Sequence, residues 1–402
     1  MWLVIRKQLK HRMKNELKIT GKEMAARINR SQSALSSYFS GKDELDFYNL
    51  SLLVKELYPD PYEHTEVVKK VALSLERPDN IKCAIEGASF RENIEVLEEL
   101  LVNTENHSNR DLHEWSRVYR VHLKFLKKEI SAIEMANLAR QLNIKKDEEG
   151  SKKENKNEEL LFFQKWMETY GCYLNKEFLI MPSLLRELEL LLNNVNDQYI
   201  KNTYSTKFYL QSANYNLFNN CIEKAKKYYN LATNTVNLQK VAHAYHGLGL
   251  CFMLEDKETS YKYFKKAINL FNDIENNTFA ENAMHAFNMV SNLHNDEEFY
   301  IYNDCTGLRI EKAHRYIRKG DKHKASELLN SLDFDSLDRQ EKAFYSLYKG
   351  ILDDNIDELY MSLMYFKQSG SKFYATLPCK ELIKRNERKA AIYAAYGEIF
   401  DI

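Results

Sequence analysis

A triplet of a small, an aromatic and a second small residue recurs in the second half of the chain, at spacings of four and three residues. Its three copies are Ala225, Tyr229 and Ala232; Ser260, Phe264 and Ala267; and Ser362, Phe366 and Ser369. A weaker copy is centred on Ala325. The first two copies are 35 residues apart, close to the period of tetratricopeptide-like helix pairs, where small residues let helices approach and the aromatic fills the gap. The pattern predicts an all-α, right-handed helical solenoid, because such pairs bury their apolar faces only by stacking.

The composition favours long helices throughout the chain. Only 12 glycines and 5 prolines occur in 402 residues, which argues against a β-sandwich or a dinucleotide-binding α/β fold. A chain of this length exceeds one compact core, so we expect two or more domains.

The charge is balanced overall but not locally. Lys/Arg and Asp/Glu each number 58, whereas residues 1–43 carry ten basic and three acidic residues, 10 − 3 = +7. A basic head on a neutral body is typical of a nucleic-acid-binding module. The six cysteines lack CxxC spacing, which predicts a reduced, cytoplasmic protein without a zinc ribbon. No stretch has the length and apolarity of a signal peptide or a membrane span.

The stretch from Lys18 to Lys42 predicts a helix-turn-helix within a DNA-binding domain at residues 1–60. Thr20 and Glu23 form a capping box, and a second short helix follows a polar turn and ends at Gly41. The stretch resembles the small phage-repressor type of DNA-binding domain, in which the start of the second helix enters the major groove. We predict base contacts by Gln32, Ser33, Ser36 and Ser37, and phosphate contacts by Arg27, Arg30 and Lys42. The alternative is a plain helical bundle with a polar surface.

Periodicity and charge divide the rest of the chain. We predict a helical linker or first repeats at 61–144, a mobile charged loop at 145–159, the peptide-binding solenoid at 160–384, and a capping and dimerisation segment at 385–402. The loop is predicted because no residue from Lys145 to Glu159 is apolar. Helical periodicity runs through 80–104, and the sequence around 276–293 predicts a less regular helix pair.

The last segment stays apolar to its end, where a terminal repeat normally presents a polar face. An exposed apolar terminus marks a partner surface. We therefore predict a homodimer with contacts through Ile392, Ala395, Ile399 and Phe400. The alternative, in which this segment packs back on its own chain, has equal support.

No motif in the sequence supports enzymatic chemistry. Glycine-rich phosphate loops, GxSxG, HExxH and paired cysteines do not occur. His243 and His246 are three residues apart, but their alanine-rich context favours packing or solvent exposure over a metal site. We expect neither enzyme activity nor a cofactor or metal.

Polar residues near the first triplet predict a ligand site in the solenoid. Asn214 and Asn216 lie near the end of a helix predicted at 199–217, and Gln239 and Lys240 open the next one. Asparagine offers both a donor and an acceptor, which matches an extended peptide backbone. A lysine suits a C-terminal carboxylate. The alternative is a solvated groove with polar helix ends.

A helix-turn-helix head followed by tetratricopeptide-like repeats resembles the peptide-pheromone receptors of Gram-positive bacteria, and within them the arbitrium receptors of Bacillus-infecting phages. The clearest segments are Tyr199–Tyr204, Ile310–Leu329 and Tyr365–Pro378. The resemblance implies a phage transcription factor that binds double-stranded operator DNA as a dimer in the host cytoplasm and activates a locus that blocks lysogeny. An imported signalling peptide of about six residues would weaken productive DNA binding and let lysogeny proceed.

The resemblance also implies peptide contacts, residue by residue. They fall on Asn214, Gln239 or Lys240, Glu311, Gln340, Ser371 and Phe373. Two positions depart from the family pattern. A second asparagine is replaced by Phe218, for which either Asn216 or Asn219 is a candidate substitute, and an acidic residue is replaced by Ser371. The lost acid predicts a peptide that differs from the family's best-known ones, most of all in the charge of its middle position.

Three other functions stay open. A chromosomal quorum-sensing receptor that regulates transcription would share this architecture. A peptide-regulated protein that binds a response regulator would have no DNA-reading helix, and the basic head argues against it. A plain repeat scaffold would bind no small ligand.

Overall fold

The computed structural model describes residues 2–144 and 158–397. These residues form 22 α-helices and no β-strand, which confirms the predicted all-α class. The helices are α1 Trp2–His11, α2 Gly21–Arg27, α3 Gln32–Ser40, α4 Phe47–Leu57, α5 Pro61–Ala72, α6 Pro78–Phe90, α7 Ile94–Glu105, α8 Arg110–Leu126, α9 Ala132–Gln141, α10 Glu158–Leu174, α11 Met181–Asn193, α12 Gln198–Phe218, α13 Ile222–Ala232, α14 Leu238–Phe252, α15 Lys257–Asp273, α16 Asn277–Leu293, α17 Thr306–Arg318, α18 Lys322–Asn330, α19 Arg339–Asp353, α20 Ile356–Gln368, α21 Lys372–Lys384 and α22 Lys389–Tyr396. Within the described ranges, no helix is long and apolar enough to cross a membrane.

The chain divides into two compact units. The first comprises Met1–Cys172 and Arg186–Ser205, and the second comprises Tyr173–Leu185 and Thr206–Ile402. The predicted loop at 145–159 lies mostly outside the described residues. Its last two residues belong to α10, which begins at Glu158. The five-part division predicted from sequence stays a prediction.

The first five helices enclose an apolar core. Its fully buried members include Met24, Leu35, Tyr38 and Leu50, with at most 1% of their surface exposed. Leu50, Leu53 and Leu57 of α4 all belong to this core and are buried. This core holds the basic head together as a small bundle.

The first unit also contains a stack of aromatic rings around Tyr119. The Tyr119 ring lies 5.2 Å from that of Trp115 and 4.0 Å from that of Phe163, nearly parallel to both. The Tyr119 hydroxyl donates to the Glu86 carboxylate at 2.8 Å. Burial first, and then the neighbouring Glu86 charge, raises the pKa of this phenol well above its usual value, so it stays a donor at any physiological pH.

The continuous helical stretch predicted at 80–104 is wrong, because two helices occupy it. Helix α6 ends at Phe90, and Glu92 adopts a left-handed φ of 57° that an α-helix does not permit. Asn93 then caps α7 by accepting a hydrogen bond from the Val96 amide at 3.2 Å. Helices α6 and α7 each have an apolar face with the helical period. Periodicity alone therefore does not reveal the break between them.

The recurring triplets pack helices against each other in the second unit, which confirms their predicted role. All nine residues are at least 98% buried. The Ser260 hydroxyl donates to the Gly249 carbonyl of α14 at 2.8 Å, and the Ser362 hydroxyl donates to the Ala343 carbonyl of α19 at 2.7 Å. The small residues thus bring each second helix within hydrogen-bond distance of the first helix of its pair.

Two glycines of α14 complete this packing. A Cβ on Gly247 would lie 2.1 Å from the Tyr229 ring, and a Cβ on Gly249 would lie 2.8 Å from the Phe264 ring. Real Cβ atoms do not approach so closely, so these positions accept only glycine in this packing. The aromatic residue of each of these two triplets therefore has a matching glycine on α14.

The irregular helix pair predicted around 276–293 is wrong. One helix, α16, spans it. The polar segment after α16 is held by Asp296, whose carboxylate accepts from Lys257 at 2.9 Å and from the Tyr261 hydroxyl at 2.6 Å. The segment is thereby tied to α15.

Candidate DNA-binding and peptide-binding sites

Helices α2 and α3 form the helix-turn-helix predicted from sequence. The Thr20 hydroxyl accepts from the Glu23 amide at 3.2 Å, and the Glu23 carboxylate accepts from the Thr20 amide at 2.8 Å. The turn passes through Asn29 with a left-handed φ of 54°. Helix α3 is capped by Ser31, which accepts from the Ala34 amide, and ends at Gly41 with φ of 80°.

The inner face of α3 is held by the apolar core of the head and by Arg6 of α1. Leu35 and Tyr38 are buried in the core of the head. The Arg6 guanidinium of α1 donates to the Tyr38 carbonyl at 2.9 Å and lies over the Tyr38 ring, 4.9 Å from its centroid. Burial raises the pKa of the Tyr38 phenol well above its usual value. These contacts fix the orientation of α3 on the bundle and thereby determine which of its residues face the solvent.

The outer face of α3 carries the residues predicted to read bases. Gln32, Ser33 and Ser36 are exposed, while Ser37 is half-buried. The Ser33 hydroxyl lies 2.9 Å from that of Ser31. The predicted residues thus share one solvent-facing side of a helix whose other side is anchored, which is the arrangement that major-groove readout requires.

Two of the three residues predicted to contact phosphates form ion pairs with acidic residues of the N-terminal bundle. Arg27 pairs with Glu56 at 3.1 Å, and Arg30 pairs with Asp46. Lys42 is exposed directly after α3. Both acidic partners come from α4 or its cap, 29 and 16 residues further along the chain, so the local sequence gives no signal for these pairs.

Asn214 is the central residue of the predicted peptide site. It is half-buried on α12, and its side-chain oxygen accepts from the Tyr229 hydroxyl at 2.6 Å. Asn216, one half-turn further, donates to the Ser212 carbonyl at 2.7 Å. Asn214 is therefore in contact with a packing triplet, a role that its sequence position does not indicate.

Gln239 and Lys240 open α14, as predicted. Both are half-buried, and the Lys240 amide donates to the capping Asn237 side chain at 3.3 Å. Gln340 holds the matching place in α19, where its amide donates to the capping Asp338 at 2.7 Å. The side chains of Gln239, Lys240 and Gln340 therefore all belong to the first turn of a helix.

Three other residues predicted to contact the peptide lie in the protein core. Ser371 is fully buried and caps α21 by accepting from the Tyr374 amide at 3.3 Å. Phe373 and Glu311 are only 3% and 1% exposed. These three side chains have almost no exposed surface in this conformation, and direct contact with a ligand stays a prediction for them.

Glu311 is the centre of a buried polar cluster that the sequence did not reveal. Its carboxylate accepts from the Asn292 amide at 2.9 Å and from the Tyr348 hydroxyl at 2.9 Å. His314 and His285 approach it at 3.6 and 3.9 Å. Burial alone would raise the pKa of Glu311, but these neighbours outweigh burial and lower it. The cluster therefore holds a carboxylate charge inside the second unit.

His243 and His246 pack against aromatic rings, as the alanine-rich context predicts. The His243 ring lies 4.4 Å from Phe279, and the His246 ring lies 5.6 Å from Phe264. Burial, with a smaller effect of His285, lowers the pKa of His246 to about 4. Among the described residues, no group of three or more His, Cys, Asp or Glu could hold a metal ion.

The predicted dimer contacts are only partly described. Ile392 is fully buried in its own chain, next to Tyr396, and Ala395 is half-buried there. For Ile392 the alternative, packing back on its own chain, is correct. Ile399 and Phe400 lie outside the described residues.

Known transcriptional regulators resemble the chain in sequence and fold. A family profile described as AimR transcriptional regulator-like matches residues 64–384. The AimR transcriptional regulator of Bacillus phage phi3T is 29% identical over 343 residues, which cover 82% of this chain and 84% of that protein.

Two solved structures have a similar fold. SeMet-phAimR superimposes with a TM-score of 0.78 at 23% identity, covering 98% of this chain and all of that one. A phAimR–ligand structure gives a TM-score of 0.68 at 24% identity, covering 84% of this chain and 96% of that one. At such identities the likeness concerns the fold. The profile match begins at residue 64, after the helix-turn-helix.

Proposed function

The chain belongs to the family of AimR-like transcriptional regulators, and we propose that it binds operator DNA through α3 under the control of a short signalling peptide. The peptide of about six residues is held by the second compact unit, in an extended form whose backbone is bound by polar side chains. The regulator is phage-encoded, acts as a homodimer in the host cytoplasm and decides between lysis and lysogeny.

The observation that carries the proposal is the two-sided build of α3. Its inner side is anchored by Leu35, Tyr38 and the Arg6 hydrogen bond, and its outer side exposes Gln32, Ser33 and Ser36. In a helix-turn-helix, this arrangement presents the side chains of the first turn of the second helix to the major groove.

Gln32 is the principal base-reading residue in this proposal. It is the first residue of α3 and is exposed. A glutamine amide offers a donor and an acceptor to the N7 and N6 groups of adenine, and such a bidentate pair discriminates by about 1–3 kcal/mol. Serine hydroxyls nearby suit either a base edge or a phosphate.

The peptide site that we propose is centred on Asn214 and includes Asn216, Gln239, Lys240 and Gln340. All five are half-buried, so each keeps polar atoms close to the surface of the second unit. A related structure carries a ligand, by its name, which supports a binding function in this fold. The Asn214 oxygen accepts the Tyr229 hydroxyl and its amide group keeps two donors for a peptide, which places the proposed ligand contact directly beside a packing triplet.

Two heads on a homodimer would read two half-sites, so the separation of the heads selects the operator. A peptide changes DNA binding only if it binds one arrangement more tightly than another. We place the dimer contacts at the C-terminal end, with Ala395, Ile399 and Phe400 as contributors.

The test is a mobility-shift experiment with the full chain and the DNA fragments that flank its own gene. We expect at least one fragment to shift, with a log affinity that falls linearly with log salt. A pool of synthetic hexapeptides should reduce the shift. Absence of any shift at low salt would support the response-regulator-binding alternative instead.

A further inference from the structure

We propose that the surface formed by Lys7 and Lys10 of α1 and by Lys14 of the turn after it, called the α1 surface below, is a second DNA-contacting surface, which binds backbone phosphates next to the bases read by α3. This inference rests on the proposed DNA binding. It assigns the electrostatic part of the binding free energy to an element outside the helix-turn-helix.

The recognition helix cannot supply this attraction itself. Helix α3 has the sequence QSALSSYFS and contains no lysine or arginine. Phosphate contacts by cations provide most of the sequence-independent affinity of DNA-binding proteins. The cations must therefore come from neighbouring elements of the head.

The two arginines of the helix-turn-helix are poorly suited to this task. Arg27 is paired with Glu56 at 3.1 Å, and Arg30 is paired with Asp46. Opening such exposed pairs costs only about 0–1 kcal/mol each. Each carboxylate would nevertheless stay beside the incoming phosphate and repel it, so the net gain is small.

The lysines of α1 and of the turn that follows it have no such partner. Lys7, Lys10 and Lys14 are exposed, and within the described part of the chain none of them forms an ion pair. The nearest acidic residue along the chain, Glu16, is bound by Arg12 and contacted by His11 at 3.3 Å. The three ammonium groups are thus available to phosphates.

The same stripe of α1 lies next to α3. Leu3, Lys7 and Lys10 follow at spacings of four and three residues within α1, which places them along one helix face. Lys14 lies in the π-helical turn, Arg12–Glu16, that follows α1. At the top of this stripe, a Leu3 methyl lies 3.3 Å from the Cβ position of Gly41, the residue that ends α3. The lysine stripe therefore continues from the C-terminal end of the recognition helix.

The other side of α1 faces away from α3. Arg12 donates to the Leu57 carbonyl at the end of α4 at 3.3 Å, and it lies 3.8 Å from Glu63 of α5. Lys42, which is exposed directly after Gly41, extends the basic stripe towards α3. A duplex seated on α3 would therefore meet four exposed lysines on one flank.

The test compares two triple variants of the full chain by fluorescence anisotropy with a labelled duplex of arbitrary sequence. The first is Lys7→Gln/Lys10→Gln/Lys14→Gln. The control, Lys262→Gln/Lys319→Gln/Lys322→Gln, removes the same charge from exposed positions of the second unit. We expect the first variant to lower the slope of log affinity against log salt by about 0.9 for each phosphate that it no longer neutralises, while the control keeps the wild-type slope.

The outcomes separate this inference from the proposed function. If the wild-type chain binds and both triple variants keep its slope and affinity, the α1 surface is overturned and DNA binding stands. If both variants lose the same slope, the effect is one of net charge, and the α1 surface is again overturned. If the wild-type chain does not bind the duplex at low salt, both proposals fail. Circular dichroism melting checks that the variants stay folded.

Discussion

Asn214 joins helix packing to the proposed ligand site in one side chain. Its oxygen accepts the Tyr229 hydroxyl at 2.6 Å, and Tyr229 in turn fills the space left by Gly247. Its polar side chain near the end of a predicted helix suggests the ligand role, and the family resemblance implies the same role. The packing role depends on a residue 15 positions away and on the helix crossing, which no local pattern contains.

Asn214→Ala should abolish the response to peptide yet keep DNA binding. The variant also leaves the Tyr229 hydroxyl without its acceptor, at a cost of about 1–3 kcal/mol. Tyr229→Phe is the matched control, because it removes the same hydrogen bond and keeps the asparagine. Calorimetry with hexapeptides should show binding for Tyr229→Phe and none for Asn214→Ala. Equal peptide binding by both variants would mean that the site is misplaced.

His246 should make the stability of the chain depend on pH. Burial lowers its pKa to about 4, against about 6.5 in an unfolded chain. Protons therefore bind the unfolded state more readily, so this contribution is complete above pH 6.5 and is lost as the pH falls towards 4. We expect a loss of about 2 kcal/mol over this window. In His246→Phe, urea unfolding should show a flatter pH dependence, and an unchanged dependence would contradict the assignment.

At the scale of the element, most helices are predictable and their interruptions are not. The helix predicted at 199–217 is observed as Gln198–Phe218. The break between α6 and α7 depends on one left-handed residue, Glu92, which composition does not mark. Helix α21 is capped by Ser371 and contains Pro378, although proline usually ends a helix.

The candidate DNA-binding and peptide-binding sites are likewise predictable from the sequence only in part. Capping signals and spacing identify α2, α3 and the exposed face of Gln32, Ser33 and Ser36. The ion pairs of Arg27 and Arg30 depend on α4 and its cap, and the burial of Ser371 depends on tertiary packing. Side-chain accessibility of this kind follows from the fold and not from the local sequence.

The N-terminal cap of α3 should be needed for DNA binding. Ser31 accepts from the Ala34 amide at 3.2 Å, and Ser31→Ala should cost about 1 kcal/mol. The loss frays the turn that carries Gln32 and Ser33, so DNA affinity should fall. Ser31→Thr keeps the cap and should restore both the melting temperature and the affinity. A normal affinity for Ser31→Ala, measured by anisotropy, would show that the start of α3 is not in the groove.

At the scale of the whole molecule, the two compact units separate two chemistries. The first contains the anchored α3 and the exposed lysines of α1, and the second contains Asn214 and the buried carboxylate of Glu311. Glu311 is held by Asn292 and Tyr348 from two other helices. A buried carboxylate held by hydrogen bonds from two other helices favours one packing of those helices over others, so a ligand that alters it would shift the unit between discrete arrangements.

The most direct test of DNA reading by α3 is selection of bound duplexes from a random-sequence pool by the full chain and by Gln32→Ala. We predict that the wild-type chain enriches a motif with two related half-sites, and that Gln32→Ala loses the preference for adenine at one position in each half-site while the other positions persist. Enrichment of no motif by the wild-type chain, or of the same motif by both proteins, would contradict the account.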